Sequence, residues 1–148
     1  MSEQPDLRAL RAADFPVLLP MTTRWSDNDV FGHLNNAVYY ALFDSAINRW
    51  IGRATGTDPT RLPAMGVVAE SGCTYLGELR YPQDVRVGLS VLRVGTSSVT
   101  YRPALLAQDD DVPAAVGRWV HVYVDRERRR PVPVPDVLRS ALEQLQAR

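Results

Sequence analysis

Cysteine is nearly absent from this chain: Cys73 is the only one in 148 residues. A lone thiol rules out an intramolecular disulfide and suits a reducing compartment. Histidine is almost as scarce, with only His33 and His121. Net charge is missing too. The 17 basic and 17 acidic side chains cancel, so no global field draws the chain toward nucleic acid or an anionic membrane. No apolar run approaches the length that spans a bilayer, and the N-terminus lacks the hydrophobic core of a secretion signal. No internal repeat and no second domain are visible. The expectation is a soluble, cytoplasmic, single-domain protein. At this length folding buries about 70% of the unfolded surface, enough for a real core.

What the chain does have is one dense polar stretch, Arg24 to Tyr40, where its character changes. A β-like run from Pro16 to Trp25 precedes it, and an apolar helical run from Val38 to Ile51 follows. Asp29 falls in the turn just before the helix, where its carboxylate can project over the helix N-terminus. Gly32 permits a tight turn or a close approach to a ligand. Asn35 and Asn36 fit an N-cap and first turn, whose free N–H groups and positive dipole end polarise a carbonyl or hold an anion. A carboxylate facing backbone donors suits acyl transfer: one group attacks or activates water, and the others stabilise the oxyanion. Plainer roles fit the same residues. Asp27-Asn28-Asp29 is Asx-turn material, and His33 fits a buried histidine with one hydrogen bond. Asp27, Asp29 and His33 as metal ligands lack a second cluster, because His121 lies on a distant strand; no metal is expected. From residue chemistry alone, the catalytic and the turn-only readings both stand.

Around this stretch the rest of the chain falls into simple elements. Residues 1–15 read as an irregular arm or short helix with Leu7, Leu10 and Phe15 as anchors, and residues 16–148 as one domain. The helical run is apolar on most sides, which implies burial on most of its surface. In a small protein that means a helix wrapped by a curved sheet. Asp44 and Asn48, spaced i, i+4, share a face. Gly52 is expected to end the helix, with Arg53 to Pro63 as a connecting loop. Four strand-like runs follow: Val67 to Tyr75, Val85 to Val94, Ser97 to Ala107 and Ala114 to Val124. Gly95 and Asp109-Asp110-Asp111 mark hairpin turns. The clean alternation of Val85, Val87, Leu89 and Val91 with polar or small residues predicts half-buried strands. Short connections imply an antiparallel sheet. A final helix, Val137 to Gln146, is expected with Asp136 as its cap. The fold class is therefore α+β.

The run Trp25-x-Asp27-x-Asp29-x-x-Gly32-His33-Leu34-Asn35-Asn36-x-x-Tyr39 resembles the signature of hotdog-fold acyl-CoA thioesterases of the 4-hydroxybenzoyl-CoA thioesterase type. Val67-Val68-Ala69-Glu70, Cys73-x-Tyr75 and Tyr81-Pro82 resemble the same proteins' second strand and following turn. The resemblance covers roughly Leu18 to Val124. It implies a hotdog fold: a curved antiparallel sheet of about five strands around one long central helix, with a short C-terminal helix. It also implies hydrolysis of an acyl-CoA thioester to a carboxylic acid and coenzyme A. Coenzyme A is then part of the substrate, and no separate cofactor is needed. By the same resemblance Asp29 is the catalytic carboxylate, nucleophile or general base, and the Asn36 backbone amide polarises the thioester carbonyl. His33 matches a histidine shared with plant acyl-carrier-protein thioesterases. Phe31 stands where that branch has its catalytic asparagine, which favours acyl-CoA over acyl-carrier-protein substrates. A homodimer, or a homotetramer of paired dimers, is implied as well.

Other residues carry paired readings. Glu70 is a charge in an apolar strand setting; it either lines the site, orienting water or His33, or pairs with an arginine at a rim. Gly32 and Glu70 are the candidate substrate-binding positions. Cys73 fits a small buried hydrophobe better than a nucleophile, since no activating base lies near it in sequence. The Arg126, Arg128, Arg129, Arg130 run fits either a dock for coenzyme A phosphates or a solvated basic loop. Two alternatives to a thioesterase remain: a hotdog hydratase or dehydratase using His33 with Glu70 or Asp29, and a non-catalytic acyl-CoA binding module.

Overall fold

Alternating apolar residues make Val85–Val94 and Ala115–Val124 strands, and in a computed structural model, which describes residues 5–146, they lie in one five-stranded sheet. Strands β1 (Val17–Met21), β2 (Met65–Tyr75), β3 (Val85–Val94), β4 (Ser98–Ala107) and β5 (Ala115–Val124) are ordered β1-β3-β4-β5-β2, all pairs antiparallel. The short β3–β4 and β4–β5 turns set adjacent pairs. Gly95 closes the first of them, donating its N–H to Ser98 O at 2.8 Å. The edges are β1 and β2. β2 is the longer, carries a bulge between Val68 and Glu70, and is exposed along most of its length.

One long helix, α1 (Asn36–Thr55), lies against the concave face. Phe43, Ala46, Ile47 and Ile51 are almost wholly buried against Val87, Leu89, Tyr101, Leu105 and Tyr123. Helix and sheet approach closely at Gly117, where an added Cβ would come within 2.9 Å of the Phe43 ring. A side chain there would push α1 off β5. Helix α2 (Asp136–Leu142) and the 3-10 turn after it add Leu138, Leu142 and Leu145 to the same core. On the other face of the sheet, Phe15 packs with Ala104, Leu106 and Val116, anchoring the arm. Gly88 makes room for it, since a Cβ there would sit 2.7 Å from Phe15 Cγ.

The structure corrects several expected boundaries. Gly52 does not stop α1, which runs on to Thr55 and ends at Gly56 in the left-handed region, φ 64°. A single helical glycine costs only about 1 kcal/mol, which burial of Ile51 on the same turn offsets. The first strand ends at Met21, and Trp25–Asp27 forms a 3-10 turn. Asp136 is the first residue of α2 with Pro135 before it, so it is not the cap. The arm, expected as irregular or a short helix, contains two 3-10 turns, Leu7–Ala9 and Ala12–Asp14; residues 1–4 of it lie outside the described residues. Among the described residues no helix is long and apolar enough to cross a membrane.

Candidate active site

The polar stretch closes on itself before the helix begins. The Asp29 N–H donates to His33 O at 2.9 Å, and the Gly32 N–H donates to Asp29 O at 3.1 Å. Gly32 takes φ 84°, a conformation that L side chains rarely adopt, so glycine is needed here to turn the chain. Asn35 is the N-cap of α1, its Oδ1 accepting the Ala37 N–H at 3.0 Å. Asn36 is the first helical residue. Among the described residues its N–H has no acceptor, as expected for the first turn of a helix.

The two aspartates of the pair do different work. Asp27 is buried and structural: its carboxylate accepts the Arg24 N–H at 2.7 Å and the Arg24 guanidinium at 3.0 Å, while its carbonyl accepts the Asn35 N–H at 2.9 Å. It thereby ties the end of the strand segment to the helix cap. Asp29 is half-buried. Its Oδ1 accepts the Phe31 N–H at 2.9 Å in an Asx turn. Oδ2 has no hydrogen-bond partner among the described residues, and the carboxylate lines a cleft of about 280 Å³ with Trp25, Asn28, Val30 and Gly32. The turn contact thus uses Oδ1 alone.

A second segment locks this loop from outside. Leu34 N–H donates to Leu79 O at 2.8 Å, and Tyr81 N–H donates to Asn28 Oδ1 at 2.9 Å. The Tyr81 ring meets Trp25 edge-on at 6.0 Å. His33 Nε2 lies 3.2 Å from Glu78 Oε2, both partly exposed. Tyr75 donates its hydroxyl to Asn36 O at 2.9 Å and stacks edge-on against Tyr39 at 5.0 Å. Burial pushes both phenols up, so they stay protonated donors. Sequence reasoning missed Glu78 and the Tyr75 contact. Glu78 sits in a loop with no periodicity to mark it, and only the fold brings it to His33.

Of the residues expected in the site, Asp29, Gly32, His33 and Asn36 share one loop and helix end. Glu70 does not join them: it is exposed on β2 and pairs with Arg118 at 2.9 Å, and the carboxylate beside His33 is that of Glu78. Cys73 is half-buried, and burial pushes its thiol up to about 11, which keeps it protonated and a poor nucleophile. Of the arginine run, Arg126 folds back to donate to the Leu62 and Thr60 carbonyls. The turn itself is held by Asp125, whose Oδ1 accepts the Arg128 N–H at 2.7 Å. Asp44 and Asn48 pair with each other, the Asn48 amide donating to Asp44 O at 2.9 Å. Among the described residues no group of three or more His, Cys, Asp or Glu side chains is placed to hold a metal ion.

A family model described as the thioesterase-like superfamily matches residues 23–142, most of the chain. Among solved structures, the PA5185 protein of Pseudomonas aeruginosa strain PAO1 is 40% identical. That alignment covers 93% of this chain and 96% of that one, with a TM-score of 0.89. The PA2801 protein of Pseudomonas aeruginosa is 31% identical over 86% of this chain and 98% of its own, TM-score 0.79. A thioesterase of Thermus thermophilus, complexed with coenzyme A and Zn, is 28% identical over 90% and 96%, TM-score 0.76. The shared architecture is the hotdog fold, as the sequence resemblance implied.

Proposed function

We propose that this chain, which belongs to the thioesterase-like superfamily, hydrolyses acyl-coenzyme A thioesters to a carboxylic acid and free coenzyme A. The observation that carries the reading is the open Oδ2 of Asp29 in the same closed loop as the open first-turn amide of α1. A carboxylate supplies the base or nucleophile, and the amide supplies the donor for developing negative charge.

Two routes use the same atoms. As a base, Asp29 takes a proton from water, whose oxygen attacks the thioester carbon. The oxyanion forms against the Asn36 N–H, and collapse expels the thiolate. As a nucleophile, Asp29 attacks the thioester carbon directly, the C–S bond breaks to expel the thiolate, and water then opens the resulting mixed anhydride. In either route Gly32 leaves space for the thioester beside the backbone, and His33, paired with Glu78, supports the loop as a hydrogen-bonding group. A coenzyme A complex of a relative supports coenzyme A as the thiol carrier.

The reading includes a dimer. β2 is a long unpaired edge with Val68 and Tyr75 exposed on it, and such an edge is covered by pairing with a second chain. Tyr75 already contacts the α1 N-terminus, so pairing along β2 would bring the partner to the site. Paired dimers would make the tetramer.

Thiol release from a panel of short, medium, long and aromatic acyl-coenzyme A thioesters, followed colorimetrically, tests the proposal. Turnover of at least one of them is expected. Formation of an enoyl product without free thiol would instead assign a hydratase, with the His33–Glu78 pair as its acid and base. Binding without either product would assign a binding module.

A further inference from the structure

A second cavity lies at the other end of the central helix. It has a volume of about 260 Å³ and is walled by Ile51, Leu62 and Met65 on its apolar side and by Asn48, His121 and Arg126 on its polar side. None of its lining residues belongs to the Asp29 cleft. Asn48 stands twelve residues beyond Asn36, about 18 Å along the helix axis.

The polar wall is built rather than incidental. His121 is 3% exposed, faces inward from β5, and its Nδ1 has no hydrogen-bond partner among the described residues. The Tyr101 and Tyr123 rings hold it edge-on at 5.5 and 6.5 Å. Such an orphaned buried nitrogen calls for a partner. Arg126 is fixed by donating to the Leu62 and Thr60 carbonyls, which are neutral acceptors. Among the described residues no carboxylate lies within ion-pair range of it. Its guanidinium, at the exposed rim of the cavity, thus carries a positive charge with no carboxylate against it. Gly66 completes the wall: a Cβ there would sit 3.1 Å from the Tyr123 ring, so β2 is kept bare where it passes the cavity.

We infer that this cavity binds a small carboxylate, its apolar body against Ile51, Leu62 and Met65 and its oxygens on Arg126 and the His121 imidazole. A guanidinium with a neighbouring imidazole suits a carboxylate through charge-assisted hydrogen bonds. The volume limits the body to a short aliphatic chain or a single ring. The inference stands on this cavity alone and does not depend on the proposed hydrolysis.

Imidazole resonances test it directly, because the chain has only two histidines and the His33→Gln variant assigns both. Hexanoate and benzoate are titrated into the protein beside hexanamide and benzamide. The acids are expected to move the His121 signals with saturation, and the amides to leave them in place. Arg126→Gln and, separately, His121→Gln should weaken acid binding about tenfold or more, read by calorimetry. Using both variants separates loss of the anion contact from any disturbance of the loop that Arg126 holds. A short acyl chain held at Asn36 does not span the ~18 Å to this cavity, so the carboxylate is a free acid. No movement with any probe would mean the cavity holds water only, and equal movement by amides would remove the anion. Either result overturns the inference.

Discussion

At the scale of single residues, His121 makes the clearest pH prediction. Burial holds its imidazole down to about 4, against an ordinary value near 6.5. The folded state therefore disfavours the proton. Stability is fully present above about pH 6.5, where both states are neutral, and is lost as pH falls toward 4 while only the unfolded chain takes up the proton. Integrated over that window the loss is about 3 kcal/mol. Urea midpoints measured across it should fall, and His121→Leu should flatten that part of the slope; an unchanged slope in the variant would reject the assignment. This was not legible beforehand, because an isolated histidine on an alternating strand shows neither its depth nor its partners. Asp29 was different. Its place between a strand segment and a helix cap, with Gly32 and Asn35 close behind, is a local pattern, and local patterns survive into the fold. Which of Asp27 and Asp29 would be buried in ion pairing is also set locally, by an i, i+3 contact with Arg24 across a 3-10 turn, but nothing in the residue types marks that turn beforehand.

At the scale of elements, α1 is held by its ends and by one close approach. Asn35→Ala removes the cap on Ala37 and should cost about 1 kcal/mol in urea unfolding. Gly88→Ala is expected to cost about 1–3 kcal/mol, because its Cβ would strike Phe15 and lift the arm from the sheet. A neutral result there would mean the arm contributes little. The last four strands were legible to within two residues, since period-two alternation extends along most of each and the turns between them carry glycine or aspartate, whereas β1 ends four residues before the expected Trp25, where the chain turns into a 3-10 segment. The helix end was not. Gly52 has the composition of a stop, but burial of Ile51 and the turn around it favours continuation, and the helix ends only where Gly56 adopts a positive φ. Glu78 was invisible for the opposite reason: it belongs to no element, and its partner His33 is reached only when the loop after β2 docks on the loop before α1.

At the scale of the whole molecule, an eleven-residue exposed edge on one side of a five-stranded sheet predicts assembly. Light scattering should report a dimer or tetramer, and Val68→Glu, placed on that edge, should shift it toward monomer. A wild-type monomer at all concentrations would contradict pairing through β2. The sheet, the helix and the docked loop together place Asp29 on an accessible cleft and Asn36 at the start of the helix that the same loop leads into, and the proposed activity rests on that pairing. The most direct test is steady-state thiol release by Asp29→Asn beside the wild type, on whichever acyl-coenzyme A the wild type cleaves. The exchange keeps the shape of the side chain and an oxygen for the Phe31 N–H, so the unfolding midpoint should barely move. The turnover number should fall by at least about 100-fold. A variant that folds normally and turns over at the wild-type rate would show that Asp29 only builds the turn, and that the reaction belongs to other residues.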